Sequence, residues 1–321
     1  MAVNSNIKTK KMKKQDTIYI IGAGAIGKAL AVFLKLAQKK VIIIRGSVDD
    51  GSNMTENIEV ELSSGKTVSA NVEISTARNF LSMDGIIVLT NKSYGNHHLS
   101  QVLSSKCKDQ PVVILQNGLN VEQAFIDKGF SQTYRAVIFA SSQPVTKNRF
   151  RFKPVEPSPI GIIKGNADTQ ERIVRELNSL YFEFMSVENI MPLIWTKTIV
   201  NCVFNSVCPL LETDNGIFCR NTSALNIANE VMTECVTVAQ HAGISIEFEK
   251  VAAKLLLISR TGDGQLISTY QDILNKRKTE IESFNFAVVK IAKRLSVENR
   301  VRQTNLLGEL VRLKSELTRS N

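Results

Sequence analysis

The feature that most constrains this chain is a short apolar run that leads directly into a glycine pattern. Residues 17–27 read TIYIIGAGAIG, a buried strand followed by G-x-G-x-x-G, and apolar side chains then recur at helical spacing. Gly22 permits a tight turn, Gly24 lets a pyrophosphate approach the backbone, and Gly27 lets the helix pack on the sheet. This context favours a Rossmann-type dinucleotide site over a purely structural glycine turn. The predicted cofactor-binding residues of the loop are Gly22, Ala23, Gly24, Ala25, Ile26 and Gly27.

The end of the second strand bears on the choice of dinucleotide. The apolar run 41–44 predicts that strand, and NAD-binding proteins usually place an acid at its end to hold the ribose 2′-hydroxyl. Arg45 stands there instead, and a guanidinium can pair with a 2′-phosphate that a carboxylate would repel. We therefore expect NADP(H), with a solvent-exposed Arg45 as the alternative. Asp49 and Asp50 lie too far past the strand for the usual ribose contact, although a loop could fold one of them back.

Composition indicates a globular protein with room for two domains. The chain has 321 residues, of which 43% are hydrophobic and 22% charged. No apolar run reaches the roughly 18–20 residues of a membrane span, so no membrane partner is expected. The formal net charge is +10, and five lysines lie in the first fifteen residues, which predicts a disordered basic tail over 1–16 rather than a secretory signal. With 6% aromatic residues and no nucleic-acid motif, the positive charge better suits an anionic cofactor and substrate.

Cysteine and histidine usage excludes an obvious metal or disulfide framework. The five cysteines are odd in number and include no C-x-x-C pair, and there are only three histidines. We expect no metal site, reduced thiols and a cytoplasmic location.

The chain divides into two unlike halves. From residue 17 to about 187, short apolar runs predict strands at 86–89, 112–115, 135–140, 160–163 and 182–187, and 59–74 predicts a β-hairpin turning at 64–66. After about 189 helical periodicity dominates, and the glycines at 262 and 264 divide it into two blocks. The predicted fold class is α/β: a Rossmann-type domain over 17–188 followed by an all-helical domain over 189–321, with the active site in the cleft between them.

One predicted helix carries a polar stripe. Lys197, Asn201 and Asn205 follow at i, i+4 and i+8, so they share one face, while the positions between them are mostly apolar. Such groups are costly on an apolar helix unless they face a polar cavity. Partial desolvation would bring the pKa of Lys197 toward working pH, which suits a proton donor to a carbonyl oxygen. The alternative is a surface lysine with two solvated asparagines.

Two further groups could complete a site. Ser268 follows the glycine break, and Glu280 borders the apolar stripe of a long helix predicted over 281–295, so it could be half-buried. The alternatives are a helix-capping serine and a surface acid. Lys92 and Asn117 follow two predicted strands at the edge where open α/β sheets bind ligands, although Asn117-Gly118 could also be a plain turn.

These motifs in this order resemble the ketopantoate reductase (2-dehydropantoate 2-reductase) family over about residues 17–310. The resemblance is carried by G-A-G-A-I-G, the strand-end Lys92, Gln116-Asn117-Gly118, Trp195-x-Lys197-x₃-Asn201-x₃-Asn205, Asp214-Asn215-Gly216, Ser268-x-x-Gln-Asp272 and Thr279-Glu280-Ile281. It implies NADPH-dependent reduction of 2-dehydropantoate to (R)-pantoate, a step toward pantothenate and coenzyme A. The implied partner is a small 2-oxo acid, and the implied assembly is a monomer or homodimer.

The resemblance also implies residue roles. Lys197 is the general acid, Glu280 orients Lys197 or the substrate, and Ser268 holds the substrate carboxylate. Lys92 and Asn117 contact cofactor or substrate from the other wall. The remaining substrate-binding residues are Asn201, Asn205 and Asn215.

Three departures from the family pattern bear on the substrate more than on the reaction. They are Gln265 where asparagine is frequent, Leu119-Asn120 where a second glycine is common, and the glycine-poor stretch 139–143. A related 2-oxo acid or β-hydroxyacid dehydrogenase, or a non-catalytic NADP(H)-sensing protein, are the alternative functions.

Overall fold

The protein, described here from a computed structural model over residues 16–320, is built around one eleven-stranded sheet that carries helices and is followed by a helical region. The predicted basic tail, apart from Asp16, lies outside the described residues. The strands are β1 (Thr17–Ile21), β2 (Lys40–Ile44), β3 (Met54–Leu62), β4 (Thr67–Ser75), β5 (Gly85–Leu89), β6 (Val112–Ile114), β7 (Thr133–Ala136), β8 (Ala140–Pro144), β9 (Arg149–Pro154), β10 (Ser158–Lys164) and β11 (Phe184–Ser186).

The centre of the sheet is parallel and has a topological switch point at β1. The strand order is β11-β10-β7-β6-β5-β1-β2-β4-β3-β9-β8. In this order the six adjacent strands from β7 to β4 run parallel to one another. β1 pairs with β2 on one side and β5 on the other, so the chain reverses direction across the sheet there. In such sheets a crevice opens at the carboxyl ends of the strands beside the reversal, which is where ligands bind.

The first four helices lie on the two faces of the sheet, and the helices from α5 onward form a separate core. They are α1 (Ala25–Leu36), α2 (Asn96–Cys107), α3 (Gln123–Asp127), α4 (Ala167–Leu177), α5 (Met191–Leu210), α6 (Ile217–Arg220), α7 (Thr222–His241), α8 (Phe248–Thr261), α9 (Ser268–Leu274), α10 (Asn285–Arg294) and α11 (Arg302–Ser320). Along β1 the side chains alternate: Ile18 and Ile20 enter a core with α1 and α4, whereas Tyr19 and Ile21 enter a core with α2 and α3.

The helical region packs around α5. This helix is buried over most of its length and contacts α7, α8, α9 and α11, with Trp195 and Phe204 among its core side chains. The mixed α/β fold with a helical C-terminal region is thereby confirmed, while the domain boundaries 17–188 and 189–321 stay a prediction. Among residues 16–320 no helix combines the length and apolarity needed to cross a membrane.

Two predicted elements are wrong in detail. The single strand over 135–140 is divided into β7 and β8. Between them Val137 N still donates to Pro159 O at 3.0 Å, but Ile138 O accepts from Lys197 Nζ at 2.5 Å and Phe139 N donates to Ser158 Oγ at 3.0 Å. The helix predicted over 281–295 begins only at Asn285. Glu280 therefore lies in the connection after α9, next to a short 3-10 helix, and not on a helix edge.

Candidate active site

The glycine loop has the shape that a dinucleotide phosphate requires. Gly22 has φ +116°, a conformation that side-chain-bearing residues rarely adopt, and a Cβ on Gly27 would lie 2.3 Å from Gly22 O, so α1 packs closely on the loop. A Cβ on Gly24 would meet nothing within 4 Å, which leaves its backbone open to a ligand. No side chain caps the N-terminus of α1, so its free amides face the same space. These observations fit a pyrophosphate.

Arg45 lies one residue past β2 at this edge, and its side chain forms an ion pair with an acid of the following loop. Arg45 Nη2 pairs with Asp50 Oδ1 at 2.7 Å, so the loop does fold one of the two aspartates back. Asp50 also accepts from Ser52 N at 2.9 Å and Ser52 Oγ at 2.6 Å. These hydrogen bonds, together with Arg45, hold the pKa of Asp50 below its usual value. Asp49 instead accepts from the backbone N–H of Arg78 at 2.7 Å.

Asn91 is a further polar residue at this edge that the sequence analysis did not identify. It follows β5, and its backbone N lies 2.6 Å from where a Cβ of Gly22 would be. Its Nδ2 donates to Lys92 O at 3.0 Å, but its Oδ1 is buried without a hydrogen-bond partner among the described residues. A buried acceptor left unpaired is costly, so this oxygen favours a polar ligand beside the glycine loop.

Lys92 joins the edge of the sheet to the helical region. Its Nζ pairs with Glu280 Oε2 at 2.8 Å and with Asp272 Oδ2 at 3.1 Å. Glu280 Oε1 accepts from Ser93 N at 3.1 Å and from Ser93 Oγ at 3.3 Å. Burial lowers the pKa of Lys92, but the Glu280 and Asp272 carboxylates outweigh it and raise the pKa above its ordinary value. Within the described residues Glu280 makes no hydrogen bond or ion pair with Lys197; its other predicted role, orienting the substrate, stays a prediction.

Lys197 lies on α5 and points toward the sheet. Its Nζ donates to Ile138 O, two residues beyond β7. Burial, with smaller contributions from the cations Arg135 and Lys254, lowers the pKa of Lys197 to about 7. An amine with that pKa can give up and regain a proton near neutrality, which an ordinary surface lysine cannot do.

The polar stripe of α5 continues from Lys197 toward Ser268. Asn205 Nδ2 donates to Asn201 Oδ1 at 3.3 Å, and Asn205 Oδ1 accepts from Ser268 Oγ and from Thr269 N, each at 3.3 Å. Asn205 is buried, whereas Ser268 is exposed at the start of α9. The first turn of α9 and the stripe of α5 thus form one hydrogen-bonded surface.

Asn215 stands in the loop between α5 and α6. Its backbone N donates to Gln265 O at 2.9 Å, which ties this loop to the residues before α9. Its side chain is buried, and Oδ1 has no hydrogen-bond partner among the described residues. As at Asn91, an unpaired buried acceptor favours a polar ligand.

Asn117 faces α5 from the sheet. It follows β6 and lines a small cleft with Lys197, Val137 and Ile194. The next residue, Gly118, has φ +103°, and a Cβ there would lie 2.5 Å from Ser283 O. Leu119 N donates to the same carbonyl oxygen at 3.0 Å, so the loop after β6 packs backbone to backbone on the segment that carries Glu280.

Arg135 is the main residue of this region that the sequence analysis missed. It is 2% exposed, forms an ion pair with Glu122, and donates through Nη2 to Gln116 O at 3.3 Å and Gly118 O at 2.9 Å. It therefore holds the backbone on both sides of Asn117. An arginine inside a run predicted to be a buried strand was the signal that could have identified it.

The structure thus gathers the predicted residues into four groups. The glycine loop and Arg45 lie at the switch point, Asn117 and Lys197 share the cleft, and Ser268 joins the α5 stripe through Asn205. Glu280 belongs with Lys92. Among the residues described, no cluster of three or more His, Cys, Asp or Glu side chains could hold a metal ion.

The fold and the site define a two-part dinucleotide-binding protein of the oxidoreductase class. Residues 18–157 match the family described as ketopantoate reductase PanE/ApbA, and residues 189–315 match the C-terminal part of the same family. The chain belongs to the ketopantoate reductase PanE/ApbA family.

Individual relatives agree with this assignment. The 2-dehydropantoate 2-reductase of Pyrococcus abyssi is 28% identical over 282 residues, which are 88% of this chain and 92% of that protein. Among solved structures, the PanE/ApbA family ketopantoate reductase of Ralstonia eutropha JMP134 has a TM-score of 0.81 at 21% identity, covering 94% of this chain and 99% of that one. D-mandelate dehydrogenase, solved in complex with NADH, has a TM-score of 0.80 at 21% identity with the same coverage.

Proposed function

We propose that this protein catalyses the NADPH-dependent reduction of 2-dehydropantoate to (R)-pantoate, the step that leads toward pantothenate and coenzyme A. The observation that carries the proposal is the Lys197 amino group, which lines a small cleft with Asn117 and donates to Ile138 O, in a chain that also has a dinucleotide loop after β1. The matched relatives named 2-dehydropantoate 2-reductase support the substrate.

The residues present fit a nicotinamide dinucleotide. The open backbone at Gly24 and the uncapped start of α1 would hold the pyrophosphate, and Arg45 would hold the 2′-phosphate. Asn91 Oδ1 would accept from a hydroxyl or amide of the cofactor. When bound, NADPH supplies the hydride that reduces the carbonyl carbon.

Lys197 supplies the proton. As the C2 carbonyl becomes an alcohol, its oxygen gains negative charge, and the Lys197 ammonium donates a proton from Nζ to that oxygen. The resulting neutral amine is reprotonated from solvent. A pKa near 7 keeps both forms populated at neutral pH, whereas an unperturbed lysine of pKa 10.5 would hold its proton more tightly.

The substrate carboxylate is held by groups on α5 and α9. Ser268 Oγ is accessible and donates to Asn205 Oδ1, so rotation of its hydroxyl would turn that one proton from Asn205 to a substrate carboxylate. Asn201 and Asn215 offer further amide groups from the same side, and Asn117 faces them from the sheet. Lys92, neutralised by Glu280 and Asp272, keeps the two walls of the cleft together.

A substrate survey tests this function. Purified protein is supplied with NADPH and, in parallel, with 2-dehydropantoate, smaller 2-oxo acids and the 2-oxo acid of mandelate, and NADPH absorbance is followed. We expect 2-dehydropantoate to give the highest kcat/KM. A higher value with the 2-oxo acid of mandelate would assign the protein to a related 2-oxo acid reductase, an outcome that the departures at 119–120 and 139–143 make worth testing. Tight NADPH binding without turnover of any acid would indicate a sensing protein.

A further inference from the structure

The most informative unassigned contact outside the catalytic cleft is the ion pair at the end of β2. Arg45 Nη2 lies 2.7 Å from Asp50 Oδ1, while Arg45 Nε is buried without a hydrogen-bond partner among the described residues. Arg45 N also donates to Ser75 O at 2.9 Å, so the backbone that carries the guanidinium is anchored to β4. The guanidinium that is expected to bind a phosphate is therefore already paired with a carboxylate of the same chain.

Asp50 is held in this position by its own loop. Ser52 donates both its backbone N–H and its hydroxyl to the same Oδ1 that pairs with Arg45. The Asp50 side chain is 54% exposed and that of Arg45 is 23% exposed, so a ligand can reach the pair from solvent. The hydrogen bonds from Ser52, together with the Arg45 cation, hold the pKa of Asp50 below its usual value, so the group is a carboxylate anion at neutral pH, as an ordinary aspartate is.

A 2′-phosphate and Asp50 compete for the same cation. A dianionic phosphate at Arg45 would lie close to the Asp50 carboxylate, and like charges repel. Binding of the phosphate therefore requires Asp50 to leave Nη2 or to remain beside it at an electrostatic cost. A dinucleotide that carries only a 2′-hydroxyl meets no such competition.

We propose that Asp50 is a specificity-determining residue that weakens the preference for NADP(H) over NAD(H) by occupying Arg45 as a counter-ion. This inference rests on the proposed function insofar as Arg45 is taken to receive the adenosine ribose. It predicts a protein that binds both dinucleotides, with the balance between them set by one carboxylate in the loop after β2.

Asp50→Asn tests the proposal, and Asp49→Asn is a matched control. Both remove one negative charge from the same loop, but Asp49 accepts from Arg78 N and has no described contact with Arg45. Dissociation constants for NADPH and NADH are measured by fluorescence titration of the full chain at low and physiological salt. For Asp50→Asn we expect NADPH to bind roughly two- to tenfold more tightly while NADH changes by less than about twofold. Asp49→Asn should produce a smaller change in the ratio of the two constants.

Repeating Asp50→Asn in an Arg45→Ala variant distinguishes a counter-ion effect on Arg45 from a general effect of the negative charge on NADPH binding. In Arg45→Ala, Asp50→Asn should no longer improve the binding of NADPH relative to NADH, because the cation for which Asp50 competes is gone. The proposal is overturned by an unchanged or weaker NADPH affinity in Asp50→Asn, by an equal gain in Asp49→Asn, or by a gain that persists without Arg45.

These outcomes are distinct from failure of the proposed function. Tight NADPH binding without reduction of any 2-oxo acid would overturn the reductase assignment and leave the role of Asp50 to be decided by the titrations. Adenosine 2′,5′-bisphosphate and adenosine 5′-monophosphate serve as reaction-independent probes, and only the first should bind Asp50→Asn more tightly. Binding of neither dinucleotide by the unmodified protein would overturn both.

Discussion

Lys197 carries its amino group in surroundings that disfavour the charged form, and this is the residue on which the chemistry rests. Because the reducing direction needs a protonated donor, we expect kcat/KM for reduction to fall as pH rises through about 7. The reverse oxidation needs the neutral amine and should rise over the same range. Lys197→Ala should lower kcat by about 10²–10⁴, the usual contribution of a positioned acid or base.

The control for Lys197 is an exposed lysine. Lys290→Ala removes a cation that pairs with Glu282 on the surface, with its side chain 68% exposed, and should leave the pH profile unchanged. If Lys197→Ala retains the kcat and the pH dependence of the unmodified protein, Lys197 is not the proton donor.

Ser268 gives a second prediction at the scale of one residue. Ser268→Ala should chiefly raise KM for the 2-oxo acid, since a hydrogen bond to a charged carboxylate is worth about 1.5–3 kcal/mol. The Asn205 side chain keeps its bond to Thr269 N, so α9 should remain docked and kcat should change little. The control is Ser105→Ala, a change at an exposed serine of α2, measured by the same steady-state kinetics. A loss confined to kcat in Ser268→Ala would contradict the assignment.

At the scale of elements, the loop after β6 and the segment before α10 fit together only because Gly118 has no side chain. Gly118→Ala would place a Cβ 2.5 Å from Ser283 O, a backbone atom that cannot rotate away. We expect a lower Tm and at least about a tenfold loss of kcat/KM, because displaced loops cost roughly that much in positioning.

Gly65→Ala is the matched control for Gly118→Ala. Gly65 also has a positive φ, +83°, but a Cβ there would meet nothing within 4 Å. The loss of stability in Gly65→Ala therefore measures only the cost of alanine at a positive φ, about 1 kcal/mol. Equal losses of Tm and equal kinetics in the two variants would show that the contact with Ser283 is unimportant.

The connection between α9 and α10 depends on the Lys92 ion pairs. In a double-mutant cycle of Lys92→Met and Glu280→Gln, we expect a coupling free energy of about 1–3 kcal/mol, since the carboxylate is largely buried. Each single change should also speed tryptic cleavage after Arg277, whose side chain is 57% exposed in that connection. Additive free energies of unfolding together with unchanged cleavage would mean that the pair does not hold the segment.

At the scale of the whole molecule, several contacts besides the Lys197–Ile138 hydrogen bond join the sheet to the helical region. Leu119 N bonds Ser283 O, Ser93 Oγ lies 2.6 Å from Ser283 Oγ, and Lys92 reaches Glu280 and Asp272. These contacts tie the sheet edge that carries Lys92 and Leu119 to the segment 272–283. A ligand that binds the sheet edge is therefore expected to stabilise both regions together.

A thermal shift checks this expectation. Dinucleotide at about one hundred times its dissociation constant should add about 2.7 kcal/mol to the free energy of unfolding and raise Tm in a single transition. NADPH should give a larger shift than NADH at equal concentration, and Arg45→Asp should reverse that order. Two separate transitions, of which only one moves, would show that the two regions unfold independently.

Features that depend on local chain geometry could be predicted from the amino-acid order. The strand, glycine loop and helix at 17–36 follow from short-range sterics, and the stripe of Lys197, Asn201 and Asn205 follows from the helical period. The order of the motifs was sufficient to indicate the family, and the α/β class with a helical second half followed from the change in periodicity near residue 189.

The pairing of groups far apart in the chain could be read only from the folded molecule. Glu280 pairs with Lys92 across 188 residues of sequence, Arg135 braces the backbone around Asn117, and Asp50 returns to Arg45. Just beyond β7, Ile138 O and Phe139 N bond to the side chains of Lys197 and Ser158. The physical reason is the same in each case: a hydrogen bond or ion pair depends on the positions of two side chains in space, and for groups far apart in the chain those positions are set by the packing of the elements between them.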